Sequence, residues 1–358
     1  MLATAVLHDL GQSLWLDNIT RDLLDSGTLQ SYIDELSVTG LTSNPTIFDH
    51  ALKDSAAYDG AIREGVKAGR EGEALFFDLA LDDLGRAADL FAGVHRRTAG
   101  MDGWVSLEVS PLLAHDTSAT LQSAKELFSR AGRANLHIKI PGTREGLPAI
   151  EEATFAGIPV NVTLLFSREQ YLAAAEAWLR GVERRIAAGL DPDIRSVASV
   201  FVSRWDVAAA PRVPPELHNQ LGIAIADRIY AAGLELQASS RWQRARNAGV
   251  RPQRLLWAST GTKDPAACDI LYVKALAAPY TVNTMPEATL HAFADHGTLG
   301  VPLPGDAVLA EEVIARHARA GVDVNALAVQ LQDEGAKAFA ASWNGLLARL
   351  AKKTSALP

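Results

Sequence analysis

Short apolar segments, each closed by a polar or glycine turn and followed by an alanine- and leucine-rich amphipathic stretch, recur along the whole chain. The strand segments are Ser13–Ile19, Val38–Ser43, Trp104–Ser110, Asn135–Ile140, Pro159–Leu165, Ser196–Ser203, Arg254–Thr260 and Thr281–Met285. Switching from period 2 to period 3.6 in this way predicts βαβ units, whose connections are right-handed and whose sheet is parallel. Eight such units close naturally into a (β/α)₈ TIM barrel. The alternative is an open doubly wound sheet, but the G-x-G-x-x-G turn of its dinucleotide-binding version is absent. A chain of 358 residues, 48% hydrophobic, suits two ordinary domains or one decorated barrel. With no linker and no low-complexity segment, one domain over residues 1–358 is expected.

Local signals refine the helices. Ser167-Arg-Glu-Gln170 is a capping box opening a long segment to Gly189. Asp264-Pro265 reads as an N-cap followed by proline at the first helical position. The stretch Asp49–Arg97 is longer than one crossover needs, so several extra helices are expected after the second strand. Between Asp206 and Asn247, Pro211, Pro214 and Pro215 predict a loop before one long helix. From Pro304 to Ala351 the pattern is wholly helical, predicting an extension that packs across the barrel.

Bulk properties exclude several functions. A formal net charge of −8 argues against a nucleic-acid or anionic-membrane partner. No apolar run approaches the ~18 residues that span a bilayer. The first ten residues have no basic region and soon turn polar, unlike a secretory signal. The single cysteine, Cys268, excludes an internal disulfide and fits a reducing cytoplasm.

The fourth strand segment, Asn135-Leu-His-Ile-Lys-Ile-Pro-Gly142, carries a lysine in an apolar setting. Leu136, Ile138 and Ile140 take one side of the alternation, and His137 and Lys139 take the other. Lysine is almost never fully buried without a partner or a purpose. Either Lys139 pairs with a carboxylate, or its surroundings keep the amine uncharged and nucleophilic toward a carbonyl.

The other strands decide between these. Trp15 and Asp17 oppose Leu14 and Leu16; Ser106, Glu108 and Ser110 oppose Val105, Leu107 and Val109. Asn161 and Thr163 oppose Val160, Val162 and Leu164; Ser199, Phe201 and Ser203 oppose Ala198, Val200 and Val202. One face suits burial under helices, and the other must point into the barrel, where branched apolar side chains are the rule. A polar lumen near the C-terminal strand ends, where barrel active sites form, favours catalysis. Lys139 is then the nucleophile that forms a Schiff base, Glu108 the proton shuttle, Thr163 the holder of a relay water, and Asp17 the base for bond cleavage. Asn44, Asn161 and Ser199, with Phe201 on the same face, would contact a sugar. Arg204, after the sixth strand, and Lys263, in Thr260-Gly-Thr-Lys-Asp-Pro265 ahead of an expected helix start, would bind a phosphate. The chemistry needs no cofactor. His291 and His296 lack ligand spacing with a carboxylate, so no metal is expected. Like His115 and His137, they read as surface or packing residues.

From about Leu14 to Gly297 the chain resembles the transaldolases, specifically their longer bacterial branch. The resemblance is carried by Gly40-Leu-Thr-Ser-Asn-Pro-Thr-Ile-Phe48, Ser106-Leu-Glu-Val-Ser-Pro111, His137-Ile-Lys-Ile-Pro-Gly-Thr143, Asn161-Val-Thr-Leu-Leu-Phe-Ser167, Val202-Ser-Arg204 and Trp257-Ala-Ser-Thr-Gly-Thr-Lys263. It implies a (β/α)₈ barrel that moves a dihydroxyacetone unit from sedoheptulose 7-phosphate to glyceraldehyde 3-phosphate, in the pentose phosphate pathway. It also implies Lys139 as the Schiff-base lysine, Asp17 as acid/base, Glu108 with Thr163 as the proton relay, and Arg204 on the phosphate. The chain departs from the shorter transaldolases after the seventh strand, where Lys263 stands in place of a second phosphate-binding arginine. Phosphorylated sugars are the expected partners, and a monomer or homodimer the expected assembly. Two rivals remain: an aldolase of the same superfamily releasing free dihydroxyacetone, and a non-catalytic barrel that binds sugar phosphates or a protein.

Overall fold

The computed structural model describes residues 1–357. Its strands are β1 (Ser13–Leu16), β2 (Val38–Thr42), β3 (Trp104–Glu108), β4 (Leu136–Pro141), β5 (Val160–Leu165), β6 (Ser196–Phe201), β7 (Arg254–Ala258) and β8 (Val282–Met285). They pair in sequence order, all parallel, and β1 closes on β8, giving the expected (β/α)₈ barrel. Several strands stop one to three residues short of their predicted ends. Past them the side chains bond neighbouring strands: Ser43 Oγ donates to the Ser106 carbonyl of β3 at 2.7 Å, and Thr260 Oγ1 to the Thr284 carbonyl of β8 at 2.9 Å.

The helices follow local chemistry. Asn44 caps the helix Pro45–Asp54 by accepting from the Ile47 N–H at 3.1 Å, with proline at the first position. Ser167 and Gln170 form the predicted capping box on the helix Arg168–Ala187. Helices Asp59–Lys67 and Gly72–Arg97 complete the insertion after β2. The expected long helix before β7 is instead two, Leu221–Ala238 and Ser240–Asn247. Ser239 breaks it by adopting extended backbone and accepting from the Trp242 N–H at 3.2 Å, which caps the second piece. The tail is helical, as Val308–Arg319 and Val324–Ala356. Among the described residues no helix is long and apolar enough to cross a membrane.

Inside the barrel, the floor is aromatic. His137 stacks on Trp104, with ring centroids 4.1 Å apart, and faces Trp15 at 6.0 Å. Gly40 makes room for this layer: a Cβ there would lie 2.7 Å from Trp15 Nε1 and 2.6 Å from the Trp104 carbonyl. The N-terminal end is closed by buried Arg254, which donates to Asp102 and Ser13 at 3.1 and 2.5 Å. His137 is thus a packing residue, as expected. Neither ring nitrogen has a hydrogen-bond partner among the described residues. Burial, with nearby His95, Arg195 and Arg254, pushes its pKa down to about 3.

That depression makes stability depend on pH. Below the ordinary histidine value near 6.5 the unfolded chain takes up a proton that the folded chain refuses until about pH 3. Stability is therefore full above pH 6.5 and falls with acidification, by about 1.4 kcal/mol per pH unit from this group. Between pH 6.5 and 4.5 the urea midpoint of His137→Gln should fall less steeply than that of the parent. Parallel slopes would mean that His137 is protonated in the folded state.

Candidate active site

At the C-terminal mouth of the barrel lies a cavity of about 760 Å³. That is ample for a small metabolite. Eight of the ten residues picked from the sequence line it: Asp17, Asn44, Lys139, Thr163, Ser199, Phe201, Arg204 and Lys263. Glu108 and Asn161 are buried immediately beneath. Register accounts for the grouping. Glu108 on β3 stands beside Lys139 on β4, which stands beside Asn161 on β5, so the three share one level of the barrel.

Lys139 Nζ donates to Glu108 Oε2 at 3.0 Å and to the Ser43 carbonyl at 3.3 Å. Both members of the ion pair are almost wholly buried. Desolvation pushes the Glu108 carboxyl up, and Lys139 opposes it. The second oxygen, Oε1, is buried without a partner among the described residues, and so is Thr163 Oγ1. Asp17, just past β1, is half-buried and accepts from Thr42 Oγ1 at 2.8 Å; Thr42 in turn meets Thr284 Oγ1 at 2.7 Å. Burial raises the Asp17 pKa, against the pull of Lys139, the Thr42 bond and Lys263. Two carboxyls with raised pKa values flanking an amine are the ingredients of proton-transfer chemistry.

Asn161 is committed elsewhere than expected. Its amide donates to Ser106 Oγ at 3.1 Å and its carbonyl oxygen accepts from Ser199 Oγ at 2.6 Å, so it braces the floor beneath the cavity. Asn44 lends its Oδ1 to the helix cap and leaves its NH₂ to the cavity. At Lys263 the expected helix start is not formed. Asp264 instead bonds the Ala266 N–H at 2.9 Å and Asn219 at 2.7 Å, and the next helix begins only at Leu271. Lys263 therefore offers its charge without a helix N-terminus beside it. Arg204 is half-buried and makes no hydrogen bond or ion pair among the described residues. Burial lowers its pKa, with only Glu334 acting against the shift. A desolvated guanidinium without an anion is a ready receptor for one. Among the lining residues that the sequence analysis did not single out, three stand nearest the polar groups described above or bring in another element. Thr42 and Thr284 lie on strands where no polar alternation was noted, and Phe339 comes from the C-terminal helix, which carries no strand pattern. Among the described residues no cluster of three or more metal-ligating side chains occurs.

Residues 14–350 match the sequence model of the transaldolase/fructose-6-phosphate aldolase family. The chain belongs to that family. Among its relatives are proteins named transaldolase from Thermobifida fusca, 46% identical over 98% of each chain, and from Renibacterium salmoninarum, 44% identical over 96% of this chain and 94% of the relative. A transaldolase of Mycobacterium tuberculosis is 44% identical over 96% of this chain and 95% of its own. Family membership runs through β1 to the C-terminal helix, and the chain is a transaldolase-type enzyme.

In this transaldolase-family site, burial raises the Asp17 pKa, and the Thr42 hydrogen bond, after Lys139, works against that rise. The substitution Thr42→Val removes a donor to the carboxylate and keeps the shape. The Asp17 pKa should then rise further, seen by carboxyl-carbon NMR titration. An unchanged or lower midpoint would mean that the Thr42 hydroxyl is spent on Thr284 alone.

Proposed function

We propose that the enzyme transfers a dihydroxyacetone unit between phosphorylated sugars in the cytoplasm, from sedoheptulose 7-phosphate to glyceraldehyde 3-phosphate, through an imine on Lys139. The observation that carries this reading is the buried Lys139–Glu108 pair at 3.0 Å, opening on a cavity that Asp17 also lines. A purely structural ion pair would not need a second carboxyl, two hydroxyls and an unpaired cation around one cavity.

In this mechanism Glu108, raised by burial, accepts the proton that leaves Lys139. The neutral amine attacks C2 of the ketose to give a carbinolamine. Glu108 returns the proton to the departing hydroxyl, which leaves as water. A water held between Glu108 Oε1 and Thr163 Oγ1 would satisfy two oxygens that otherwise lack partners. Asp17 then takes the proton from the C4 hydroxyl. The C3–C4 bond breaks, its electrons flow into the iminium, and erythrose 4-phosphate departs as the aldehyde. The three-carbon enamine attacks the aldehyde carbon of glyceraldehyde 3-phosphate, and Asp17 protonates the new alkoxide. Hydrolysis frees Lys139 and fructose 6-phosphate. The iminium is itself the electron sink, so the scheme calls for no metal or cofactor. Asn44 and Ser199 contact the sugar, Phe201 walls the site, and Arg204 and Lys263 hold the phosphate.

Borohydride reduction with fructose 6-phosphate should fix a three- or six-carbon unit on Lys139, found by peptide mass analysis. Lys139→Ala should abolish both label and turnover. Asp17→Asn should form the imine but fail to cleave it, so adduct accumulates while turnover drops about 10²–10⁴-fold. Glu108→Gln should slow trapping itself. Label on another lysine would remove Lys139 from its role.

The phosphate ligands are tested with paired substrates. Arg204→Ala should lower kcat/KM for fructose 6-phosphate by about tenfold to a hundredfold, the value of one charge-assisted contact, and leave fructose little affected. Lys263→Ala should act in the same sense but more mildly, because lysine presents a point charge in place of a planar fork. Equal proportional losses on both sugars would send the search for the phosphate pocket to other loops.

A further inference from the structure

The C-terminal helix Val324–Ala356 lays one face across the barrel mouth. Gln332 Nε2 donates to the Leu164 carbonyl at 2.9 Å and the Gly142 carbonyl at 3.1 Å, pinning the helix to the ends of β4 and β5. Leu164 is in the left-handed region, with φ of 59°, at the irregularity in β5–β6 pairing. One turn on, Gly335 leaves space for an arginine: a Cβ there would lie 3.1 Å from Arg204 Nη1 and 2.9 Å from Leu164 Cδ2. Another turn on, the Phe339 ring centre is 5.8 Å from Arg204 Cζ and 5.5 Å from Lys139 Nζ. Phe201, from β6, stands 5.1 Å from the same guanidinium, and the two rings meet edge-to-face at 6.4 Å. Farther along, Trp343 packs edge-on against Phe76 at 4.8 Å, and Arg349 bonds Asp49 at 2.7 Å, so the helix is anchored on both sides of Phe339.

We propose that this helix is a working wall of the active site, in which Phe339 acts with Phe201 as a positioning residue that holds the Arg204 guanidinium toward the substrate's phosphate. The proposal rests on Arg204 as the phosphate ligand. Two aromatic faces attract the cation and limit its rotamers without consuming its N–H donors. An acidic partner would orient the arginine too, but it would also neutralise it and compete with the phosphate. Gly335 belongs to the same device, because a Cβ there would crowd Arg204 Nη1 at 3.1 Å and the guanidinium would have to give way.

The test is a double-mutant cycle on Phe339→Leu and Arg204→Ala, read as the dissociation constant of glucitol 6-phosphate by calorimetry. That probe has the hydroxyl chain and phosphate of the ketose but no carbonyl, so it binds without a covalent step. Phe339→Leu should weaken binding about two- to thirtyfold when Arg204 is present, the span of a cation–π contact. In the Arg204→Ala background the same change should matter by less than about twofold. Phe339→Tyr keeps the ring and should keep the affinity. Gly335→Ala should weaken binding through displacement of the arginine, and decides the matter if Phe339→Leu loses its near-ultraviolet circular dichroism. Equal weakening by Phe339→Leu in both backgrounds overturns the proposal, because the ring would then act without Arg204. Unchanged binding in Arg204→Ala alone removes the phosphate assignment beneath it, whereas trapping at Lys139 is a separate measurement that this outcome leaves standing.

Discussion

A lysine and a glutamate, both almost wholly excluded from water, meet at 3.0 Å on adjacent strands. Desolvating either alone would cost several kcal/mol, and truncating one partner of such a pair typically costs about 3–5 kcal/mol. The pair is tolerable because the barrel holds both ends in register and because the Ser43 carbonyl shares the ammonium. It is also poised. The Glu108 carboxyl is pushed up by its burial, against the pull of the lysine beside it. What makes the pair a weak contributor to stability makes it suited to proton exchange.

The polar layer around this pair is affordable because the layers below it are sealed. Trp15, His137 and Trp104 fill the middle of the barrel with ring surface, and Arg254 with Asp102 closes the far end. The cavity that holds the polar layer opens at the C-terminal mouth. The same burial leaves His137 neutral and, among the described residues, without a hydrogen-bond partner, which ties the acid sensitivity of the fold to a residue outside the proposed chemistry. Asn161 links the two regions, since its hydrogen bonds run to Ser106 and Ser199 and stiffen the floor of the cavity.

On the open side, restriction comes from outside the barrel. The C-terminal helix is held by Gln332 at the strand ends and by Arg349 at the helix after β2, and it brings an aromatic ring over both the amine and the arginine. The insertion after β2 and the C-terminal tail are therefore two parts of one enclosure. The helix Pro45–Asp54 carries Asn44 at its start and receives the C-terminal helix along its length, through Thr46–Ser342 and Asp49–Arg349.

Much of this was legible in the residues. Apolar segments marked eight strands, and period-2 alternation gave the inward faces of five of them, because a side chain's side of a strand depends only on parity; Lys139, Glu108, Asp17 and Ser199 follow from that alone. Local capping placed the helix after Ser167. Where local signals competed, the same logic failed. Ser239 and Asp264 each had a side chain that could bond the backbone in more than one way, and the tertiary surroundings chose a helix break in one case and a turn in the other. Whether Asn161 faces a substrate or braces the floor was beyond parity, which gives the face but not the depth. Phe339 was illegible in principle. It lies 200 residues after Lys139 on an amphipathic helix whose pattern announces only that one face is buried. Which element lies beneath that face is settled by the packing of the closed barrel, and no local pattern encodes it.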